Sequence, residues 1–383
     1  MLYIYHIVKK YIYFNTFLII FAIYSVIFTS IHMNKLTKEL TMNKLTKIGV
    51  TALCGSLAGI VSANAGSLSV SGGADMSWTS NEKGTNGNPI GMGSNVGFTG
   101  TGELDNGTAF TLSIAHTNKA GYSASNVTMD MPTLGSLIIT QGVSGTGIDR
   151  IDDMMPTAWE ETWGTGLGTG IRTVAGVSGG AGFEWTPNAD MLPEGVALHL
   201  AYSPRAGGGS SNDKATAGSD NGVGSGWDIV VKHSGLVDGL NLFAGRSDIE
   251  QPTHDAGSET TGNRTQYAYG ATYAINRITL GYQVTRDNQQ SASDSATSFY
   301  ENDMWGVSFN VNDDLSISYG NMDSTRQLTN STSVSTEAES LQVAYSMGGA
   351  SIRLAESSVD NGSYLSTTTN DRDGTTLSLS LAF

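Results

Sequence analysis

Beyond residue 65 this chain has no apolar run approaching the roughly 18 residues that a membrane-spanning helix needs. It does keep an apolar side chain at every second position through one segment after another. That period belongs to β-strands whose two faces meet different surroundings. Leu377, Leu379, Leu381 and Phe383 share one face, with Thr376, Ser378, Ser380 and Ala382 on the other. Trp305, Val307, Phe309 and Val311 split in the same way from Gly306, Ser308 and Asn310, as do Leu341, Val343, Tyr345 and Met347 from Gln342, Ala344 and Ser346. A soluble sandwich also alternates, but its inner face must be dry. The face opposite each apolar row here is Ser, Thr, Gly, Gln and Asn, which would leave unpaired polar groups buried between two sheets. A barrel that is apolar outside and wet inside accepts them.

Sixteen such segments can be read: 67–78, 94–104, 108–117, 124–131, 136–142, 172–185, 196–203, 227–234, 240–247, 265–274, 278–287, 301–311, 315–323, 336–347, 350–358 and 374–383. The expected fold is therefore all-β, a transmembrane antiparallel β-barrel with an even strand number. Tight turns at Asp105-Asn106-Gly107, Pro132 to Gly135, Asn312-Asp313-Asp314 and Gly348-Gly349 alternate with long polar loops at 204–226, 248–264, 288–300, 324–335 and 359–373. This short/long asymmetry is that of outer-membrane barrels, with the long loops outside the cell. Trp78, Tyr202, Trp227, Tyr273, Trp305 and Tyr345 are expected near strand ends as interfacial girdles.

The N-terminus fits export. From Met42, MNKLTKIGVTALCGSLAGIVSANA has a basic start (Lys44, Lys47), an apolar stretch from Ile48 to Val61, and Ala63-Asn64-Ala65 as a cleavage site, the parts of a secretory signal peptide. Residues 42–65 are read as that signal and 66–383 as the barrel. Tyr11 to Ile31 is apolar and long enough to span a bilayer, so an anchor is the competing reading. MNKLTK occurs at both Met33 and Met42, however, and a signal so far inside a chain makes little sense. Residues 1–41 are read as an extension from an upstream start-codon error. Cys54, the only cysteine, follows Leu53 where a lipoprotein signal requires a small residue, and it leaves with the signal.

Residues 1–65 carry six Lys and one Glu, so Lys+Arg falls from 20 to 14 and Asp+Glu from 35 to 34, leaving a net charge of −20. This excludes nucleic acid as a partner, since phosphates need basic patches, and it suits a protein that meets cations. His116, His199, His233 and His254 show no metal-ligand spacing, and no phosphate-binding Gly-rich motif occurs. His254-Asp255 with Asp152-Asp153 could imitate an acid/base pair, but no nucleophile can be placed beside them, so no enzyme is expected. No cofactor is implied. Calcium in the acidic outer loops is conceivable, although carboxylates without fixed spacing are usually just solvated.

One connection breaks the pattern. Between Gly142 and Arg172 lie about 30 residues, too many for a structureless loop without a task. Asp149, Asp152, Asp153, Glu160 and Glu161 make this connection acidic, while Ile151, Met154, Met155 and Trp159 give it a side that can pack on a wall. The bland alternative is a solvated acidic surface loop.

With its signal peptide, strand count, acidic connection after the fifth strand and terminal Phe383, the chain resembles the sixteen-stranded trimeric porins of alphaproteobacteria over residues 66–383. The resemblance implies a general porin, a homotrimer in outer-membrane lipid. Its channel would be water-filled for small hydrophilic solutes and cations, and the barrel-assembly machinery would insert it by reading Phe383. It also implies that the acidic connection folds inward as a constriction loop against basic wall residues. That basic side is thin here: no Arg or Lys lies in the first five segments, and the candidates are Lys232 and Arg353, at inward parity, with Arg172, Arg246 and Arg264 of unassigned facing. Cation preference is the corresponding expectation. The other function class is a non-transporting surface barrel, an adhesin or receptor, suggested by the long Gly/Ser/Asp loop 204–226.

Overall fold

The computed structural model describes residues 65–82, 88–118, 124–206, 224–251, 260–291, 293 and 296–382. The expected upstream extension, all but the last residue of the expected signal peptide, most of loop 204–226, the His254-Asp255 pair and Phe383 lie outside the described residues.

Sixteen strands follow in order: β1 Ala65–Asn81, β2 Ile90–Glu103, β3 Ala109–Thr117, β4 Ala124–Met131, β5 Gly135–Gln141, β6 Gly182–Thr186, β7 Val196–Ser203, β8 Gly226–Ser234, β9 Leu240–Ile249, β10 Arg264–Ile275, β11 Ile278–Asn288, β12 Thr297–Asn310, β13 Leu315–Leu328, β14 Val334–Met347, β15 Ala350–Asp360 and β16 Arg372–Ala382. Each strand pairs with its neighbours in sequence, and β1 closes on β16 with Asp75 opposite Ser380. Closure removes both sheet edges, so every strand's backbone can pair within the bilayer. Among the described residues no helix is long and apolar enough to cross a membrane.

The alternation sorts the two faces as expected. Leu341, Tyr345, Leu377, Leu381 and Trp305 point outward and are exposed, while Gln342, Ser378 and Thr376 point inward. Of the six girdle aromatics, Trp78, Tyr202, Trp227, Tyr273 and Tyr345 lie close to a strand end. Trp305 sits further in, because β12 begins at Thr297 and not near residue 301. Similarly β13 runs on to Leu328. Apolar alternation stops where contact with lipid stops, but the backbone ladder continues above it. Outward residues there are polar, as in the paired row Asp303, Asp323, Glu337 and Asp360.

The sixth segment differs from its expected span. Strand β6 starts at Gly182 and has five residues, and it meets β7 at three paired positions. Residues 172–181 belong to the preceding loop, which therefore spans 142–181. Among their backbone N–H groups, Arg172 donates to the Tyr364 hydroxyl, Ala175 and Gly176 to Gln266 and Val177 to Asp228, while Ser178 and Gly179 bond carbonyls of the loop itself.

Candidate functional site

The 142–181 loop turns into the barrel and lies along its inner wall. A short 3-10 turn, Gly147–Ile151, begins the descent. Its N-terminal end is fastened by two buried acids: Glu184 on β6 accepts Gly147 N–H (2.6 Å), and Asp228 on β8 accepts Ile148 N–H (3.0 Å). Glu184 also takes both ends of the Arg150 guanidinium and lies 3.6 Å from His199. Ile148 and Ile151 then pack with Val174 of the returning limb onto Val230, Phe243 and Ala268 of the wall. This is a dry apolar patch inside the barrel, and Val177 packs into a second one with Ala201, Ala206 and Ile249.

From there the loop crosses strand after strand, and wall side chains meet its backbone. Gln283 on β11 accepts Met154 N–H (2.8 Å), Ser318 on β13 accepts Ala158 N–H (2.8 Å), and Gln342 on β14 accepts Trp159 and Glu160 N–H (3.1 and 3.0 Å). Further on, Thr165 donates to Ser357 (2.8 Å) and accepts at its carbonyl from Thr376 (2.6 Å), and Arg372 donates to the Leu167 carbonyl (2.6 Å) and to that of Gly168. The return limb passes Asn302, which donates to the Arg172 carbonyl (2.9 Å), and Gln266, which accepts Ala175 and Gly176 N–H (3.0 and 2.6 Å). Val177 N–H returns to Asp228 (3.1 Å). Beyond its one 3-10 turn the loop thereby satisfies backbone groups whose burial would otherwise be costly. It lies close to the wall because lumen-facing Gly281, Gly306 and Gly320 are paired across β11, β12 and β13, and Pro156 and Thr162 press into the row they form.

The acidic residues do not all act alike. Asp149 is used to join the two limbs, accepting Gly145 N–H (2.6 Å) and the Ser178 hydroxyl (2.7 Å). The other four form one carboxyl cluster. Burial pushes Asp152 up to about 7, with the Asp149 charge adding to it. Burial, a hydrogen bond to Glu161 and the charge of Asp152 push Asp153 up to about 9. Burial and a hydrogen bond to Glu161 push Glu160 up to about 8, against the pull of Arg353. Burial acts on Glu161 too, but the hydrogen bonds it shares with Glu160 and Asp153 outweigh it and hold Glu161 below its ordinary value. Glu161 is the stably ionised member, and the others share protons around it.

The five wall cations expected from sequence separate in space. Lys232 and Arg353 have the inward parity expected of them, in register with lumen residues Phe243 and Ser378. Arg353 bonds Asp75 (2.7 Å) and lies over the Trp159 ring at 5.9 Å. Arg264 also faces inward, locked to Asp287 by two bonds of 2.8 and 2.6 Å. Arg172 sits on the return limb of the loop, not on a strand, with its side chain exposed. Arg246 is a correction: it points outward with its neighbours Ala244 and Asp248, pairs Asp248 at 3.5 Å, and lies over the Tyr267 ring at 5.4 Å. Period-two parity counted from Phe243 on β9 puts it on the outer face. On β2–β5 the lumen-parity side chains are Gly, Ala, Ser, Thr, Asn and Ile138, with Glu103 and Asp130 near the short-turn end, and none is basic.

Sequence reasoning did not find Gln266, Gln283, Gln342, Asp228, Glu184 or Arg372: the first five lie within expected strands, where a polar side chain at lumen parity reads as water-facing, and Arg372, the first residue of β16, lies within the expected outer loop 359–373. One signal was available. Ile229-Val230-Val231 on β8 is apolar on both faces, which implies that both faces are covered.

A family model for a Gram-negative porin matches residues 49–382. No curated protein sequence matches. Among solved structures, the anion-selective porin from Comamonas acidovorans is 14% identical with a TM-score of 0.60, covering 83% of this chain and 99% of its own. Salmonella typhi OmpF is 14% identical with a TM-score of 0.58, covering 82% and 97%. Vibrio cholerae OmpT is 12% identical with a TM-score of 0.57, also covering 82% and 97%. At these identities the likeness is one of fold.

Proposed function

Because the chain belongs to the Gram-negative porin family, an outer-membrane diffusion channel and not an enzyme, we propose that it passes small hydrophilic solutes with a preference for cations, set by the carboxyl cluster of its inward loop. An anion-selective protein shares the fold, so the preference has to come from this chain's own side chains. The observation that carries the reading is the one-sidedness of the charge. Asp152, Asp153, Glu160 and Glu161 stand together on a loop laid across the lumen, while β2–β5 offer no cation to oppose them. In a narrow, low-dielectric opening such charge acts on every passing ion. Carboxylates on the outside of the barrel are screened over a Debye length of about 8 Å. Of the cations near the cluster, Arg353 is held by Asp75, and Arg150 by Glu184. The same reading includes an alphaproteobacterial-type homotrimer in outer-membrane lipid, exported by the signal at 42–65.

Reversal potentials in a salt gradient test it. At pH 9.5, where Asp152 and Asp153 are ionised, Asp152→Asn with Asp153→Asn lowers cation-over-anion permeability, whereas Asp323→Asn with Glu337→Gln, on the outer face, changes it much less. If both pairs shift the potential equally, or neither does, the inward loop is not the selectivity element.

A further inference from the structure

We propose that Gln283 and Gln342 are the positioning residues of this selectivity, two neutral amides that hold the carboxyl cluster at a fixed place across the lumen; the proposal rests on the cation-preferring reading above. Both are almost wholly buried, at 0% and 1% exposure. Gln283 accepts Met154 N–H at 2.8 Å and donates its own Nε2–H to the Ile151 carbonyl at 2.6 Å. Gln342 accepts the N–H groups of Trp159 and Glu160 and donates to the Glu160 carbonyl at 2.8 Å. A backbone N–H only donates and a carbonyl only accepts, so the orientation of each amide is fixed by its partners. Between them the two clamps bracket Ile151 to Glu160, with Asp152 and Asp153 enclosed, Glu160 held directly and Glu161 adjoining.

The residue type fits the task. Holding the loop backbone at both an N–H and a C=O takes a side chain that donates and accepts at once. A carboxylate lacks the donor and a lysine or arginine lacks the acceptor. An arginine or lysine here would also place a positive charge beside the carboxyl cluster and cancel the field that selects ions. An amide holds the loop without entering the charge balance. Gln266 supplies a contrast within the same fold: equally buried, it only accepts, from Ala175 and Gly176 N–H on the return limb, while its Nε2 has no hydrogen-bond partner among the described residues, so it holds the loop from one side alone.

The experiment uses the full-length protein, refolded or membrane-extracted, with folding confirmed by heat-modifiable migration in gels. Gln283→Met with Gln342→Met removes both clamps at nearly constant volume and with no change in formal charge. Cation-over-anion permeability then falls at least about twofold, although every carboxyl remains, while Gln266→Met keeps the wild-type ratio. Should the double variant fail to fold, Gln342→Asn keeps the amide but withdraws it by one methylene, and a smaller fall in the ratio follows. A folded clamp variant with the wild-type ratio overturns the proposal, whatever its conductance. So does an equal fall in Gln266→Met, which would make the clamps general loop anchors. Asp152→Asn with Asp153→Asn, run alongside, separates the two failures. If that pair leaves the ratio unchanged, the carboxyl reading has failed. If it lowers the ratio and the glutamine variants do not, only the clamp has.

Discussion

The glycine row under the inward loop gives a prediction whose size can be worked from the coordinates. A Cβ added at Gly281 would stand 2.5 Å from Pro156 Cδ and 3.1 Å from both Sδ and Cε of Met155. Carbon–carbon contacts are optimal at about 3.5–4.0 Å, so Gly281→Val forces a separation of roughly 1 Å. Overpacking of this kind costs about 1–3 kcal/mol, which two or three hydrogen bonds at about 1 kcal/mol each would match. Strand β11 cannot yield, because it is paired along its length to β10 and β12. Pro156 has no N–H to tether it, and the flanking anchors at Gln283, Ser318 and Gln342 make six hydrogen bonds between them, which together exceed the strain. The loop therefore stays attached at both sides and bulges into the lumen between them. Single-channel conductance in symmetric salt should fall, more for Gly281→Val than for Gly281→Ala. Gly100→Ala, where a Cβ meets nothing within 4 Å, should conduct like the parent. A folded Gly281→Val channel with parental conductance would refute the argument that this row sets the depth at which the loop lies.

Three further outcomes can be measured. Asp152, Glu160 and Asp153, raised to about 7, 8 and 9, are neutral when protonated and ionise as pH climbs. Cation preference should therefore keep rising between pH 6 and 9.5, where ordinary carboxylates near 4 would already give a plateau. By linkage these same groups bind more protons in the folded loop than in the unfolded chain, so loop attachment is firmest below about pH 4, weakens as pH rises above that ordinary carboxylate value, and levels off once pH has passed about 9; protease accessibility of the loop against pH reads this. Glu184→Gln leaves Arg150 without its buried partner beside a strand that meets β7 at only three positions. It should lower stability by about 1–3 kcal/mol, against under about 1 kcal/mol for Glu301→Gln, whose pair with Arg286 is exposed, as judged by thermal unfolding in detergent. Deleting Phe383 should reduce insertion into the outer membrane, and parental levels of the truncated protein in membrane fractions would remove this residue as an assembly signal.

The barrel was legible because one physical cause acts on every strand. Lipid outside and polar surroundings inside impose a period of two, and Leu377, Leu379 and Leu381 or Trp305, Val307 and Phe309 display it without help from distant residues. Strand ends were less legible for a related reason. The upper parts of β12 and β13 carry polar residues on the outer face, such as Glu301 and Asp323, where the ladder persists and the hydrophobic signal does not. The sixth strand was over-extended because Val174 and Val177 look like strand residues. They pack instead onto the wall and the turn of the loop itself, beside Ile148 and Val230 and beneath Ile249.

The site was only half legible, because parity reports direction and not solvent. Alternation places Gln266, Gln283, Gln342 and Asp228 inside the barrel, and nothing local says whether the inside is wet or covered at that height. In the structure each is buried under a loop that is remote in sequence; Gln342 and Glu160 are 182 positions apart. The count of carboxylates was misleading for the same reason. Five acids in one segment suggest five charges facing the ions, but Asp149 is engaged in joining the limbs, and burial of the other four against the wall makes their full ionisation costly. A loop in open solvent would keep them all charged and screened. On the proposed reading, the same loop pressed into the channel holds fewer charges, each less screened than it would be in open solvent. Burial thus reduces the charge the sequence suggests while strengthening the effect of what remains, and the selectivity of the channel depends on which of the two is larger at a given pH.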